Sequence, residues 1–311
     1  MDAILTATTL VKSYGRIRAA DGIDLDVYPK EIYGLLGPNG SGKTTTLSML
    51  AGILRPDSGV VRLDGVSVSH SAARLKLGFV PQEIALYPQM TAAENLTFFG
   101  RMQGVRGKTL RTRVHDALDV VDLAAQANRR IETFSSGMKR RANIAVALVH
   151  LPDVIIMDEP TVGVDPQSRN AILDQVAELA AAGAAVVFAS HYMEEVQRLC
   201  SRIGIIDAGK ILATGTVRDL LAKSAAGSRI VLTAAADAEE ILRSLVLRLP
   251  GEADFRRTGH EFHIKASKPT DTLTQLLRMA EDAGVPVQGA QLIQPVLEDV
   301  FLELTGKALR E

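Results

Sequence analysis

Gly37-Pro38-Asn39-Gly40-Ser41-Gly42-Lys43-Thr44 is the stretch whose reading decides the fold. It matches the pattern Gly-x-x-x-x-Gly-Lys-Ser/Thr, and it stands where that pattern needs to stand. The short apolar run Ile32 to Leu36 precedes it, and Thr44 to Leu54 follows with helical character, so the order is strand, loop, helix. Glycines open backbone conformations closed to other residues, and successive N–H groups can then converge on phosphate oxygens at the positive end of a helix. Lys43 adds a full charge for the β and γ phosphates, and the Thr44 hydroxyl is placed to hold Mg²⁺, a cation that prefers oxygen ligands. With Thr45 next in line, Gly37 to Thr45 form the candidate binding set for a nucleoside triphosphate.

Working outward, Val154-Ile155-Ile156-Met157 reads as a buried strand, and Asp158-Glu159 sets two carboxylates at its C-terminal end, where ligands gather in open α/β sheets. Their expected roles differ. Asp158 is the Mg²⁺ partner, directly or through water, and Glu159 polarises the water that attacks the γ-phosphate. A second buried strand is expected at Ala185 to Ala189, joined to the first by the helical stretch Gln167 to Ala182. That alternation makes the sheet largely parallel with crossover helices.

The flanks are of other kinds. From Leu5 to Tyr33 short alternating runs, broken at Tyr14-Gly15 and Asp21-Gly22, suggest antiparallel strands and turns. From Thr91 to about Ala127 the pattern is helical, with Leu96, Phe99, Val114, Leu118 and Val121 as its apolar face. Small residues at Ser224-Ala225-Ala226-Gly227-Ser228 mark a boundary. Beyond it, strand is expected at Ile230 to Thr233, helix at Glu239 to Leu249, strand at Phe262 to Ala266, helix at Leu273 to Ala283, and strand at Val285 to Ile293. A small α+β module of ferredoxin-like order fits that succession, with a helical tail from Val296 to Leu304.

Bulk properties limit the function. The 311 residues allow one large domain and a small one. A formal net charge of −1 provides no long-range field to concentrate DNA or RNA, so no nucleic-acid partner is expected. Cys200 is the sole cysteine, which rules out an internal disulfide and makes a reducing compartment the simplest setting. The start of the chain has no basic stretch leading into an apolar run, so a cleaved secretory signal is not expected. The longest apolar candidate, around Leu179 to Ala189, falls well short of the roughly 20 residues a bilayer needs, and Gly183 interrupts it.

Phe134-Ser135-Ser136-Gly137-Met138-Lys139-Arg140-Arg141 stands upstream of the Asp-Glu strand and resembles the Leu-Ser-Gly-Gly-Gln signature of the ABC (ATP-binding cassette) ATPases. The resemblance runs from about Leu5 to Leu221, in the order phosphate loop, glutamine loop, signature, acidic strand, histidine. It implies a P-loop cassette over 1–223, with a β-rich N-terminal subdomain, a mixed sheet core and a helical subdomain at about 84–150, followed by the accessory α+β domain at 224–311. It also implies a head-to-tail pair of cassettes, most simply a homodimer. In that pair Ser135, Ser136, Gly137 and Met138 of one subunit cap the γ-phosphate held by the other, the lesser alternative being that Ser135 is a plain helix cap. Ser136 replaces the family's first glycine and Met138 its glutamine, which implies different hydrogen bonds to nucleotide or ribose in that half-site.

The same resemblance assigns the remaining residues. Gln82 matches the glutamine that reaches Mg²⁺ and water, and His191 matches the switch histidine that senses the γ-phosphate and orients water and Glu159. Asp165 matches the loop that crosses the dimer interface. Tyr14 matches the aromatic that stacks on adenine, although a lone tyrosine before a turn serves as simple packing just as often. The tail Pro295 to Gly306 resembles that of ATPases serving ABC-2 exporters of drugs and other small molecules. The implied partner is a separate integral membrane permease, met at the cytoplasmic face of the membrane through a surface that includes Leu86 to Leu96, whose apolar residues could also be subdomain core. The competing class is a soluble, non-transport ABC ATPase acting on ribosomes or DNA, whose paired cassettes, coiled-coil insertions and basic tracts are not visible here.

Overall fold

The computed structural model describes residues 2–222, 229–249, 254–266 and 269–306. They fall into two compact units that divide between Val217 and Arg218. The boundary expected at Ser224 to Ser228 lies outside the described residues.

The first unit opens with β1 (Leu5–Tyr14) and β2 (Ile17–Val27), an antiparallel pair joined at Gly15, with Leu5 opposite Val27 and Tyr14 opposite Ile17. The expected break at Asp21-Gly22 is corrected. β2 runs straight through it, because Asp21 pairs with Val11 and Ile23 with Leu10 while Gly22, at φ +74°, is the extra residue of a bulge. β3 (Ile32–Leu36) then leads through the glycine loop to α1 (Lys43–Leu50), which ends earlier than the expected Leu54. β4 (Ser58–Leu63) and β5 (Val66–Ser67) complete the first sheet in the order β2-β1-β4-β5. After the short α2 (Ser71–Arg74) comes β6 (Leu77–Val80).

The helical stretch expected from Thr91 to Ala127 is two helices, α3 (Ala92–Met102) and α4 (Gly107–Val120). Gly104, at φ +83°, lies in the turn between them. Thr91 caps α3 reciprocally with Glu94, its Oγ1 accepting from the Glu94 N–H and its own N–H donating to the Glu94 carboxylate. Leu96, Val114, Leu118 and Val121 are buried as expected, and Phe99 is half-buried. α5 (Ser136–Leu148) follows, then β7 (Val154–Asp158), α6 (Pro166–Ala181), β8 (Ala185–Ser190), α7 (Met193–Leu199), β9 (Arg202–Asp207), β10 (Lys210–Gly215) and α8 (Val217–Ala222).

The second sheet has the order β10-β9-β3-β8-β7-β6. Apart from the antiparallel β10–β9 pair its neighbours run parallel. Every residue of β3, β7 and β8 is buried, which is why these strands read as unbroken apolar runs and not as alternation. Leu10, Ile23, Tyr33, Leu47, Val61, Ile156 and Val187 belong to one hydrophobic cluster that joins the first sheet to α1 and the parallel sheet. No helix among the described residues is long and apolar enough to cross a membrane, and the apolar stretch Leu179 to Ala189 is the end of α6 running into β8.

The second unit continues with β11 (Arg229–Ala234), α9 (Glu239–Val246), β12 (Asp254–Thr258), β13 (Glu261–Lys265), α10 (Pro269–Asp282), β14 (Val287–Ile293) and α11 (Leu297–Thr305). Its antiparallel sheet has the order β12-β13-β11-β14, and the βαββαβ succession is ferredoxin-like. β12, an edge strand with Arg256 and Arg257 at its centre, carries too little apolar pattern to be read from sequence. The core is built from Ile230, Leu232, Leu242, Phe262, Ile264 and Leu276.

Ile156 is fully buried at the middle of β7, between β8 and β6. Ile156→Ala should therefore lower the stability of the first unit by about 2–5 kcal/mol. The shift of the urea midpoint measures this, and an unchanged midpoint would contradict the core as described.

Candidate nucleotide site

The glycine loop owes its shape to the backbone it touches. Gly42 sits at φ +104°, and a Cβ there would lie 2.1 Å from the Ala19 carbonyl oxygen of β2. No side chain can occupy that approach without moving a strand. Gly42 is also the N-cap of α1, its carbonyl accepting from the Thr46 N–H at 2.9 Å. The first N–H groups of α1 have no partner within the helix, so they face the loop as an anion-attracting end.

Lys43 folds back into that loop. Its Nζ donates to the carbonyls of Gly37 at 2.8 Å and Pro38 at 3.1 Å, and lies 3.1 Å from Glu159 Oε1, with both side chains 5% exposed. Ser41 is buried in the same loop, and its N–H donates to the Pro38 carbonyl.

Glu159 is the meeting point of several elements. It follows the last residue of β7, is held at φ +46°, and donates its N–H to the Ala189 carbonyl of β8. A non-glycine residue in that conformation is strained by roughly 1–3 kcal/mol and persists only where its surroundings dictate it. Gln82, just beyond β6, donates from Nε2 to Glu159 Oε2 at 3.4 Å. His191, the residue after β8, places Nδ1 3.1 Å from Oε1, close but out of line for a hydrogen bond. Asp158 beside it is 1% exposed. Burial pushes its carboxyl up, as does neighbouring Glu159, while a hydrogen bond with Thr44 and the charges of Lys43 and Arg140 pull it down. One oxygen, Oδ1, has no hydrogen-bond partner.

A cavity of about 620 Å³ opens over this group. Tyr14, Asn39, Gly40, Gly42, Lys43, Thr44, Thr45, Gln82, Glu159 and His191 line it, together with Ala19, Val162 and Tyr192, which the sequence did not single out. Tyr14 is half-exposed at its rim. Ser135, Ser136, Gly137, Met138 and Asp165 do not line it.

Those residues gather at another place. Ser135 is the N-cap of α5, its Oγ accepting from the Met138 N–H at 3.2 Å. Asp165 is the N-cap of α6, with Oδ1 accepting from the Ser168 N–H at 2.9 Å. The first turns of the two helices approach at Gly137, where a Cβ would lie 2.3 Å from Ser168 Oγ.

Arg140 connects the two places, and sequence reasoning gave it no role. Its guanidinium donates to the carbonyls of Pro81 at 3.2 Å, Gln82 at 2.7 Å and Val162 at 3.2 Å. Arg140 is 5% exposed on the Gly137-Ile144 face of α5, and a buried arginine demands acceptors, but neither its burial nor its partners can be read from the local sequence.

The ABC transporter family model matches residues 20–162. The chain is 43% identical to the linearmycin resistance ATP-binding protein LnrL of Bacillus subtilis (strain 168), an alignment covering 99% of this chain and 100% of that protein. It is 38% identical to the Nod factor export ATP-binding protein I of Cupriavidus metallidurans, with 100% of both covered. Among solved structures it resembles an ATP-binding cassette seen as a dimer in a post-hydrolysis state bound to ADP and Pi. The TM-score is 0.63 and the identity 26%, covering 68% of this chain and 98% of the other.

Because a Cβ at residue 42 would displace the Ala19 carbonyl, Gly42→Ala should raise the Kd for a fluorescent ATP analogue by about tenfold or more and lower the melting temperature. An unchanged Kd would show that the loop tolerates the substitution.

Proposed function

Since the chain belongs to the ABC transporter family, as an ATP-hydrolysing ATP-binding subunit, we propose that it powers a separate integral membrane permease of the ABC-2 exporter kind, moving drugs or other small molecules. The observation that carries the chemistry is the convergence of Lys43, Gln82 and His191 on one buried carboxylate, Glu159, beside the glycine loop. The export assignment draws on likeness, over almost the whole chain, to a resistance protein and an export protein.

In this reading the triphosphate lies along the loop against the N–H groups of α1, with the adenine ring on Tyr14. The γ-phosphate competes with Glu159 for Lys43, and the carboxylate so released polarises the attacking water. His191 and Gln82 orient that water and Glu159. Thr44, Asp158 and Gln82 would hold Mg²⁺. The unpartnered Oδ1 of Asp158, on a carboxylate only 1% exposed, suits a hard cation with oxygen ligands. When bound, the ion supplies neutralisation of charge on the phosphate oxygens. Catalysis is positioning and electrostatic stabilisation throughout.

The second cassette supplies what the chain's own cavity lacks. Ser135, Ser136, Gly137 and Met138 lie outside its lining, at a helix start where Ser135 and Ser136 are exposed and Gly137 packs closely on Ser168 of the turn that Asp165 caps. Two subunits set head to tail bring each such helix start to the other's γ-phosphate. ATP then closes the pair, and hydrolysis lets it part. The permease surface includes the stretch around Leu86 to Leu96, where Tyr87 and, just beyond it, Phe98 and Met102 are exposed apolar side chains. In this reading the subunit works at the cytoplasmic face of the membrane.

Glu159→Gln should keep ATP affinity, lower kcat by about 10²-fold or more, and give an ATP-dependent doubling of mass by light scattering. Turnover near wild type would remove Glu159 from the role assigned, and a persistent monomer would count against the paired site. The same variant, captured with ATP from mildly solubilised host membranes, should bring down an integral membrane protein. Recovery of only ribosomal, DNA-bound or soluble partners would point to a non-transport ATPase instead.

A further inference from the structure

Behind the turn that follows β8 lies a second buried carboxylate, Glu195 on α7, which is 3% exposed. Its Oε2 accepts from Thr161 Oγ1 at 2.8 Å and from Ser190 Oγ at 2.9 Å. Ser190 Oγ in turn accepts from the Tyr192 N–H at 3.0 Å. Oε1 stands 3.5 Å from Arg169 Nε, within ion-pair range but out of line for a hydrogen bond. The Arg169 guanidinium lies over the Tyr192 ring at 4.8 Å, and that ring is 4.1 Å from the His191 ring.

A carboxylate this deep is costly to keep ionised, and burial pushes its pKa up against the pull of Thr161, Ser190, Arg169 and His191. A purely structural core would be better served by an apolar residue of similar volume. What this carboxylate touches explains its presence. Thr161 is two residues past Glu159, Ser190 directly precedes His191, and Arg169 sits one turn inside α6, whose cap is Asp165. One side chain therefore joins the exit of β7, the exit of β8 and the first turn of α6.

We infer that Glu195 is a positioning residue for ATP hydrolysis: through Thr161, Ser190 and Arg169 it holds the segments bearing Glu159, His191 and Asp165 in one mutual register. It never meets nucleotide. It keeps the ring of His191 where that ring can face Glu159, and it passes a displacement of the Asp165 turn on to the histidine. The inference rests on the roles proposed above for Glu159 and His191.

The test is steady-state ATP hydrolysis by the full chain, with nucleotide Kd and melting temperature measured on each variant. Glu195→Ala should lower kcat by about tenfold or more while Kd and KM stay within about threefold, and Glu195→Gln, which retains an acceptor oxygen, should recover part of the loss. Adding His191→Ala to Glu195→Ala should cost less than the product of the two single losses, because part of what Glu195 does is exerted on His191. A folded Glu195→Ala with kcat within about twofold of wild type, or losses that simply multiply, would overturn the inference. Should Glu195→Ala fail to fold, Ser190→Ala is the measure. It should cost about three- to tenfold in kcat with KM unchanged, and wild-type kcat there would overturn the inference equally. Glu159→Gln separates the two levels, since if it leaves turnover intact the site assignment itself fails, whatever Glu195 does.

Discussion

A carboxylate cannot remain charged out of water without partners, and the first unit is arranged around that constraint at Glu159. Lys43 faces it at 3.1 Å, Gln82 donates to it, and its backbone is fixed in a left-handed conformation by the Ala189 carbonyl. These partners come from the C-terminal ends of β3, β6, β7 and β8, neighbours in the order β3-β8-β7-β6. Parallel strands bring all four ends to the same edge of the sheet. A different strand order would separate Lys43, His191 and Gln82 from the carboxylate, so the topology is as much a requirement of the site as the side chains are. A buried ion pair adds little net stability. Its cost is met by the apolar cluster behind it, in which Leu47, Ile156 and Val187 lie next to the polar ends of their own elements.

The parts of this arrangement that were legible in the sequence are those carried by continuous runs. The glycine loop, the Val154 and Ala185 strands and the α6 crossover declare themselves because period, apolar content and turn residues agree over neighbouring positions. Where a signal depends on distant partners, reading fails. Asp21-Gly22 has the composition of a turn, yet β1 and β10 hold it in a strand: Asp21 pairs with Val11, and its carboxylate meets Lys210. Arg140 and Glu195 were missed for the same reason. Arg140's acceptors are backbone oxygens at 81, 82 and 162, and Glu195's partners Thr161 and Arg169 precede it by many residues, so no local spacing announces either contact.

The second unit was legible in its order but not in its edge. Buried strands and amphipathic helices show their period, whereas β12 shows only in the structure, paired along the side of β13 that β11 leaves open. The charged centre that hides β12 from a reader also guards an open sheet edge against another chain. Arg257, whose guanidinium pairs with Glu239 at the start of α9, shows the same residue serving the fold as well.

The grip of Arg140 on main-chain oxygens carries a consequence for how this protein can change over generations. Because Pro81, Gln82 and Val162 offer it carbonyls and not side chains, mutation at those positions leaves the grip intact so long as the backbone path is kept. The link between α5 and the two loops can therefore outlast wide sequence drift in the segments it holds. It would leave no trace of paired substitutions by which a comparison of relatives could detect it.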